Sequence, residues 1–152
     1  MIGGTGNSRS FGKSRLIIAL VFIGFSLISF LSSKEYNPVT GEEQYIGMTP
    51  KQEIALGLQA APQMIDQYGG LYPNQQYQDI VDRIGMSLVR NSKAAETEYQ
   101  YEFHLLNDRQ TVNAFALPGG QIFITAALFG RLETEAQLAG VLGHEIGHVV
   151  AR

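Results

Sequence analysis

The stretch Thr134-Glu-Ala-Gln-Leu-Ala-Gly-Val-Leu-Gly-His-Glu-Ile-Gly-His-Val-Val150 decides how this chain reads. Thr134, with Gln137 three residues on, predicts a capped helix start. A helix turns about 100° per residue, which puts His148 one turn beyond His144 and about 40° round from it, so both imidazoles project from one face and can share a metal ion. Glu145 lies to one side of the pair, about 100° round from His144 and about 60° from His148, and can reach a water held there without being a ligand itself. His144, Glu145 and His148 are the only ionisable side chains from Ala136 to Ala151. Burying them unpaired in an apolar helix is costly, and a metal would supply the missing partner. Gly140, Gly143 and Gly147 each weaken a helix by up to ~1 kcal/mol relative to Ala, so a neighbouring backbone is expected to pack closely against them.

Composition narrows the metal chemistry. The 152 residues contain no cysteine and three histidines, which excludes disulfide frameworks, iron–sulfur clusters, thiolate zinc sites and cysteine nucleophiles. Any metal must be held by His, Asp or Glu. Fourteen acidic against eleven basic residues give a net charge of −3, which argues against nucleic acid as a partner. With 45% hydrophobic and 16% charged residues, the chain has the make-up of a packed globular protein. Gly12-Lys13-Ser14 resembles the end of a phosphate-binding loop, but five residues separate Gly6 from Gly12 where that loop needs four.

Working outward to the amino terminus, residues 1–33 read as a signal peptide or membrane anchor. Arg9, Lys13 and Arg15 precede Leu16 to Leu31, an uncharged run of sixteen residues. That charge bias places the amino terminus in the cytoplasm and the chain from Lys34 onward across the membrane. Residues 16–31 are therefore the expected membrane contact, and the remainder an acidic, extracytoplasmic part, periplasmic in a bacterium. Residues 34–48, with Asn-Pro and Thr-Gly signals, read as an irregular linker.

Residues 49–152 carry the folded portion. Thr49, Pro50 and Gln52 form a capping-box start to a helix whose apolar face is predicted as Ile54, Leu58, Ala61, Ile65 and Tyr68, with Pro62 kinking it and Gly69-Gly70 ending it. A second helix is predicted over 74–90, with Tyr77, Ile80, Val81, Ile84, Leu88 and Val89 packing in the core. Tyr99 to Leu105 then alternates with a period of two, predicting a half-buried strand on which His104 is a surface residue. Val112 to Leu117 and Gln121 to Thr125 read as two further strands joined by a hairpin at Pro118-Gly119-Gly120. The fold expected from this order is α+β, with two helices, a small, mainly antiparallel sheet and the motif helix packed on it.

Asn113-Ala-Phe-Ala-Leu-Pro-Gly-Gly-Gln-Ile-Phe-Ile-Thr125, together with Val141-Leu-Gly-His-Glu-Ile-Gly-His-Val149, resembles the HtpX/BepA/Oma-type zinc metalloproteases of peptidase family M48. Residues 37–70 carry a weaker likeness to the exported members. The resemblance implies a zincin-like domain and a zinc endopeptidase acting on polypeptides, in quality control of misfolded or membrane-associated proteins outside the cytoplasm. It implies Zn2+ held by His144 and His148, Glu145 as catalytic base, and the stretch Asn113-Ala114-Phe115-Ala116 as an edge strand along which a peptide lies, with Asn113 and Ala114 as its substrate-binding residues. The family is of the gluzincin kind, whose third zinc ligand is a glutamate on a later helix. Only Val149 to Arg152 follow His148 here, so the expectation is the amino-terminal part of a peptidase domain. The alternative expectation is a truncated, non-catalytic remnant serving as a binding or assembly module.

Overall fold

The structure is a computed structural model that describes residues 34–37, 42–45 and 47–151. The apolar run at 16–31 lies outside the described residues. Among those described, no helix is long and apolar enough to cross a membrane. Two short strands, β1 (Lys34–Asn37) and β2 (Glu42–Tyr45), form a two-stranded sheet of their own within the segment read as a linker.

The body from Met48 onward begins with α1 (Pro50–Gln67), which starts as its sequence dictates. The Gln52 N–H donates to the Thr49 hydroxyl, and the Gln52 side chain accepts from the Thr49 N–H at 2.9 Å. Pro62 lies inside the helix, and Gly70 closes it by donating to the Ile65 carbonyl at 2.8 Å. A second helix, α2 (Gln75–Arg90), is capped by Asn74, whose side chain accepts from the Gln76 N–H. Three strands follow: β3 (Glu102–Leu106), β4 (Ala114–Leu117) and β5 (Gln121–Thr125). A short helix, α3 (Ala126–Phe129), leads to the long α4 (Glu135–Ala151). The Thr134 hydroxyl accepts from the Gln137 N–H at 3.2 Å, and the Gln137 side chain accepts from the Thr134 N–H, again a capping box.

The sheet order is β3-β5-β4, with β5 antiparallel to β4 and parallel to β3. The expected hairpin is present, but the sheet is mixed rather than mainly antiparallel. The cause is topological: the β3–β4 connection carries the chain to the far edge, and the hairpin then returns β5 into the gap. Every residue of β5 is buried, as a central strand requires.

Helices cover both faces. Phe103, Leu105, Ile122 and Ile124 pack with α2 and α4 residues such as Val81, Ile84, Leu142 and Ile146. On the other face Leu106 and Phe123 pack with Ala61 of α1. β3 is thus buried on both sides, and His104 is half-buried, not the surface residue its alternation predicts. Its Nε2 lies 2.8 Å from Gln121 Oε1 and its ring stacks on Phe123 at 4.7 Å.

Close approach of backbones fixes α1. A Cβ at Gly57 would stand 2.0 Å from the Pro118 carbonyl oxygen, and one at Gly119 2.3 Å from Ile54 Cα. The helix is rotated to bring Gly57, Glu53 and Ala61 inward, while Leu58, predicted on the buried face, is 42% exposed. Tyr77 of α2, expected in the core, is likewise exposed. Gly85 leaves room for the Phe103 ring, which an added Cβ would meet at 2.5 Å. The opposite holds on α4, where nothing lies within 4 Å of a Cβ built at Gly140, Gly143 or Gly147. The packing expected at these three glycines is absent among the described residues; the helix turns its large apolar residues to the opposite side.

Two loop contacts pin the edges of this frame. The Asp108 carboxylate accepts the N–H groups of Gln110 and Thr111, and these bonds hold its pKa below the usual carboxylate range. Its folded pKa being lowered, the stabilisation is present above the ordinary aspartate pKa of about 3.9 and is lost as pH falls through the lowered value. At the end of β5, the wholly buried Thr125 hydroxyl donates to the Thr111 carbonyl at 2.6 Å and accepts from the N–H groups of Asn113 and Leu128.

Thermal melts of single variants will separate the two glycine classes. Gly57→Ala and Gly85→Ala are expected to destabilise the fold by about 1–3 kcal/mol through overpacking, whereas Gly140→Ala should raise stability by up to ~1 kcal/mol. A loss of stability in Gly140→Ala would mean that its face is covered. Thr125→Val keeps the shape but leaves the Thr111 carbonyl and the Asn113 and Leu128 N–H groups without their partner, with an expected cost of about 1–3 kcal/mol and faster hydrogen exchange at the Asn113 amide.

Candidate active site

The motif helix α4 buries Leu138, Leu142, Ile146, Val149 and Val150 and presents His144 and His148 to solvent. The cost of burying the motif therefore falls on Glu145 alone, which is 9% exposed, and not on the histidines as the apolar sequence context suggests. The two Nε2 atoms approach to 3.0 Å, with the rings edge to face at a centroid distance of 4.5 Å. On a tetrahedral zinc with bonds of roughly 2.0–2.1 Å, two ligand nitrogens stand about 3.3 Å apart. The observed convergence fits such a shared ion, as does the donor set of two imidazoles. Among the described residues no cluster of three or more His, Cys, Asp or Glu is arranged to hold a metal, so the pair has no third ligand there.

α4 packs against β4, and the reason is in the side chains. Ala114 and Ala116 turn toward the core that α4 shares, and their small methyls let helix and strand approach. Phe115 and Leu117 stand on the opposite face, against Phe123 and α1. β4 occupies one edge of the sheet. The other edge, on β3, is stoppered: the Gln78 amide donates to the Phe103 carbonyl at 2.8 Å and accepts from the Leu105 N–H at 2.9 Å. Tyr72 N–H takes the Leu105 carbonyl at 2.8 Å.

The register shows which groups the β4 edge offers. The Thr125 N–H donates to the Asn113 carbonyl at 3.0 Å, and pairing continues as Phe115 with Phe123 and Leu117 with Gln121. In an antiparallel ladder the residues between these hydrogen-bonded pairs point their N–H and C=O away from the partner. Those residues are Ala114 and Ala116. Of the two positions singled out from sequence, Ala114 thus presents its backbone at the free edge, while the backbone of Asn113 is engaged by Thr125. Ala116 belongs to the same stretch, expected as an edge strand that offers its backbone to a peptide. Its signal was the alternation along Asn113 to Leu117, which becomes readable once the inward pairs are known. His104 lies on β3, two strands from this edge.

Known proteins similar to this chain are peptidases. The chain is 31% identical over 140 residues to the beta-barrel assembly-enhancing protease of Yersinia pestis, covering 92% of this chain and 28% of that protein. To the protein of the same name in Escherichia coli (strain K12) it is 30% identical over 139 residues, 90% of this chain and 27% of that one. The mitochondrial metalloendopeptidase OMA1 of Schizosaccharomyces pombe is 27% identical over 130 residues, 82% of this chain and 37% of its own length. The chain thus spans little more than a quarter to a third of these relatives. Residues 75–152, which include β3 to β5 and the whole motif helix, match peptidase family M48, and the chain belongs to that family.

Proposed function

We infer that this chain carries the catalytic motif and the substrate edge of a zinc-dependent endopeptidase. The observation that supports this most directly is the convergence of His144 and His148 Nε2 to 3.0 Å on a helix that also holds the buried Glu145. His144 and His148 would hold the zinc. When bound, zinc lowers the pKa of water toward about 7 and polarises the scissile carbonyl. Glu145 then takes the proton of the attacking water and delivers it to the leaving amine, which needs a carboxylate fixed beside the ligands but not ligating. Its burial against the helix's apolar side limits the rotamers open to it. The outward backbone groups of Ala114 and Ala116 would pair with an extended peptide as an added strand does, setting the peptide across the helix. The Asn113 backbone, committed to Thr125, is not among the groups that would pair with the peptide.

The whole reading concerns the protein that carries this segment. Its substrates are proposed to be misfolded or membrane-associated proteins outside the cytoplasm, a setting supported by the basic, then apolar, residues 9–31. The related proteins named for β-barrel assembly in bacteria and for a mitochondrial endopeptidase are consistent with that class. A non-catalytic binding or assembly module would keep the same fold but cleave nothing.

In the intact protein, Glu145→Gln is expected to lower turnover of an unfolded protein such as casein by at least about 10³-fold while leaving about one zinc bound per chain. Chelation should abolish the wild-type cleavage and added zinc restore it. Cleavage that survives Glu145→Gln would remove Glu145 from the role of base, and cleavage indifferent to chelator would favour another chemistry altogether.

A further inference from the structure

Four rings form a row across the face of the sheet opposite α4. His104 of β3 stacks on Phe123 of β5 at 4.7 Å with planes 25° apart. Phe123 stacks on Phe115 of β4 at 4.8 Å and 12°, and Phe115 meets Tyr68 at the end of α1 at 5.3 Å and 35°. The row is anchored at its β3 end, where His104 Nε2 lies 2.8 Å from the buried Gln121 side chain. At its β4 end, Phe115 and Tyr68 are only half-buried. That end coincides with the edge at which Ala114 and Ala116 offer outward backbone groups on either side of Phe115.

A strand added at this edge continues the pleat, so its residue directly opposite Phe115 projects onto the face of the ring row. The residues before and after it project to the other face, the one covered by α4. We propose that Phe115 and Tyr68 form a specificity subsite that selects an aromatic side chain of the bound peptide at the position opposite Phe115. This rests on the reading of β4 as the substrate edge, and it adds to that reading which substrate residue is chosen and by what contact. The physical basis is cross-strand aromatic pairing: Phe123 already meets Phe115 from the β5 side in near-parallel stacking, and a ring from the peptide would join Phe115 and Tyr68 where the row ends. Offset or edge-to-face contacts of this kind favour an aromatic ring over an alanine methyl by about three- to tenfold in addition to its burial.

The test uses the intact protein and a set of extended peptides of Ala and Thr in which a single Phe is moved one position at a time. One position is expected to raise kcat/KM over the Phe-free peptide by about tenfold or more, with its two neighbours giving no such gain. In Phe115→Leu and, separately, Tyr68→Ala, the ratio of kcat/KM for that Phe peptide to the Phe-free peptide should fall at least threefold. A ratio is insensitive to the fraction of enzyme folded, so a stability defect in either variant does not mimic the result. A flat Phe scan, or ratios equal to wild type in both variants, overturns the subsite while leaving the endopeptidase reading intact. Cleavage of these peptides that persists in Glu145→Gln points instead to failure of the endopeptidase reading itself.

Discussion

Backbone meets backbone without intervening side chains at the Pro118-Gly119-Gly120 turn, and the rest of the fold depends on that contact. Gly119 has φ of +80°, a conformation costly to a residue with a Cβ, and lies against α1 at Ile54 and Glu53. Gly57 of α1 lies against the Pro118 carbonyl in return. Side chains at either place would push the helix off the sheet. With the turn held, α1 covers one face, β5 is returned into the centre of the sheet, and β4 is left on the outside. Two alanines on β4 then admit α4, the helix that carries the histidine pair, from the other face. The chemistry of the last helix is thus positioned by a contact on the far side of the sheet.

The two edges of that sheet are treated oppositely. β3 has its outward groups occupied by Gln78 and Tyr72, which protects it from pairing with another chain. β4 keeps the outward groups of Ala114 and Ala116 without partners among the described residues. An exposed edge is a liability in a folded protein unless it has a use, and the proposed use here is the binding of an extended polypeptide. Such binding reads backbone first, which suits an enzyme acting on unfolded chains of varied sequence, with side-chain selection confined to the few positions where the pleat meets a ring or pocket.

Much of this was legible in the sequence because local chemistry is written locally. Thr49 and Thr134 cap the helices where their spacing predicts, and the 3.6-residue period puts His144 and His148 together. Long-range facts were not legible in the same way. Nothing in residues 99–105 says that α1 will cover the outer face of β3, so the alternation makes His104 look less buried than it is. The parallel pairing of β3 with β5 depends on how the 107–113 connection crosses the sheet, which no residue in it specifies alone. The glycines were misread for a related reason. Glycine signals a permitted close approach, but whether the approach occurs is decided by the partner, present for Gly57 and Gly85 and absent within 4 Å for Gly140, Gly143 and Gly147. Leu58 was misplaced because the smaller Gly57 sets the helix rotation.

β4 is proposed as an open edge whose alternate residues turn outward to receive a peptide. Residue-resolved amide hydrogen exchange tests it most directly, in the inactive Glu145→Gln protein with and without a bound unfolded polypeptide. Rapid exchange is expected at Ala114 and Ala116 in the free protein, slow exchange at Phe115 and Leu117, and protection gained on binding at Ala114 and Ala116. Protection at Ala114 and Ala116 already present in the free protein, or no change there on binding, would contradict it.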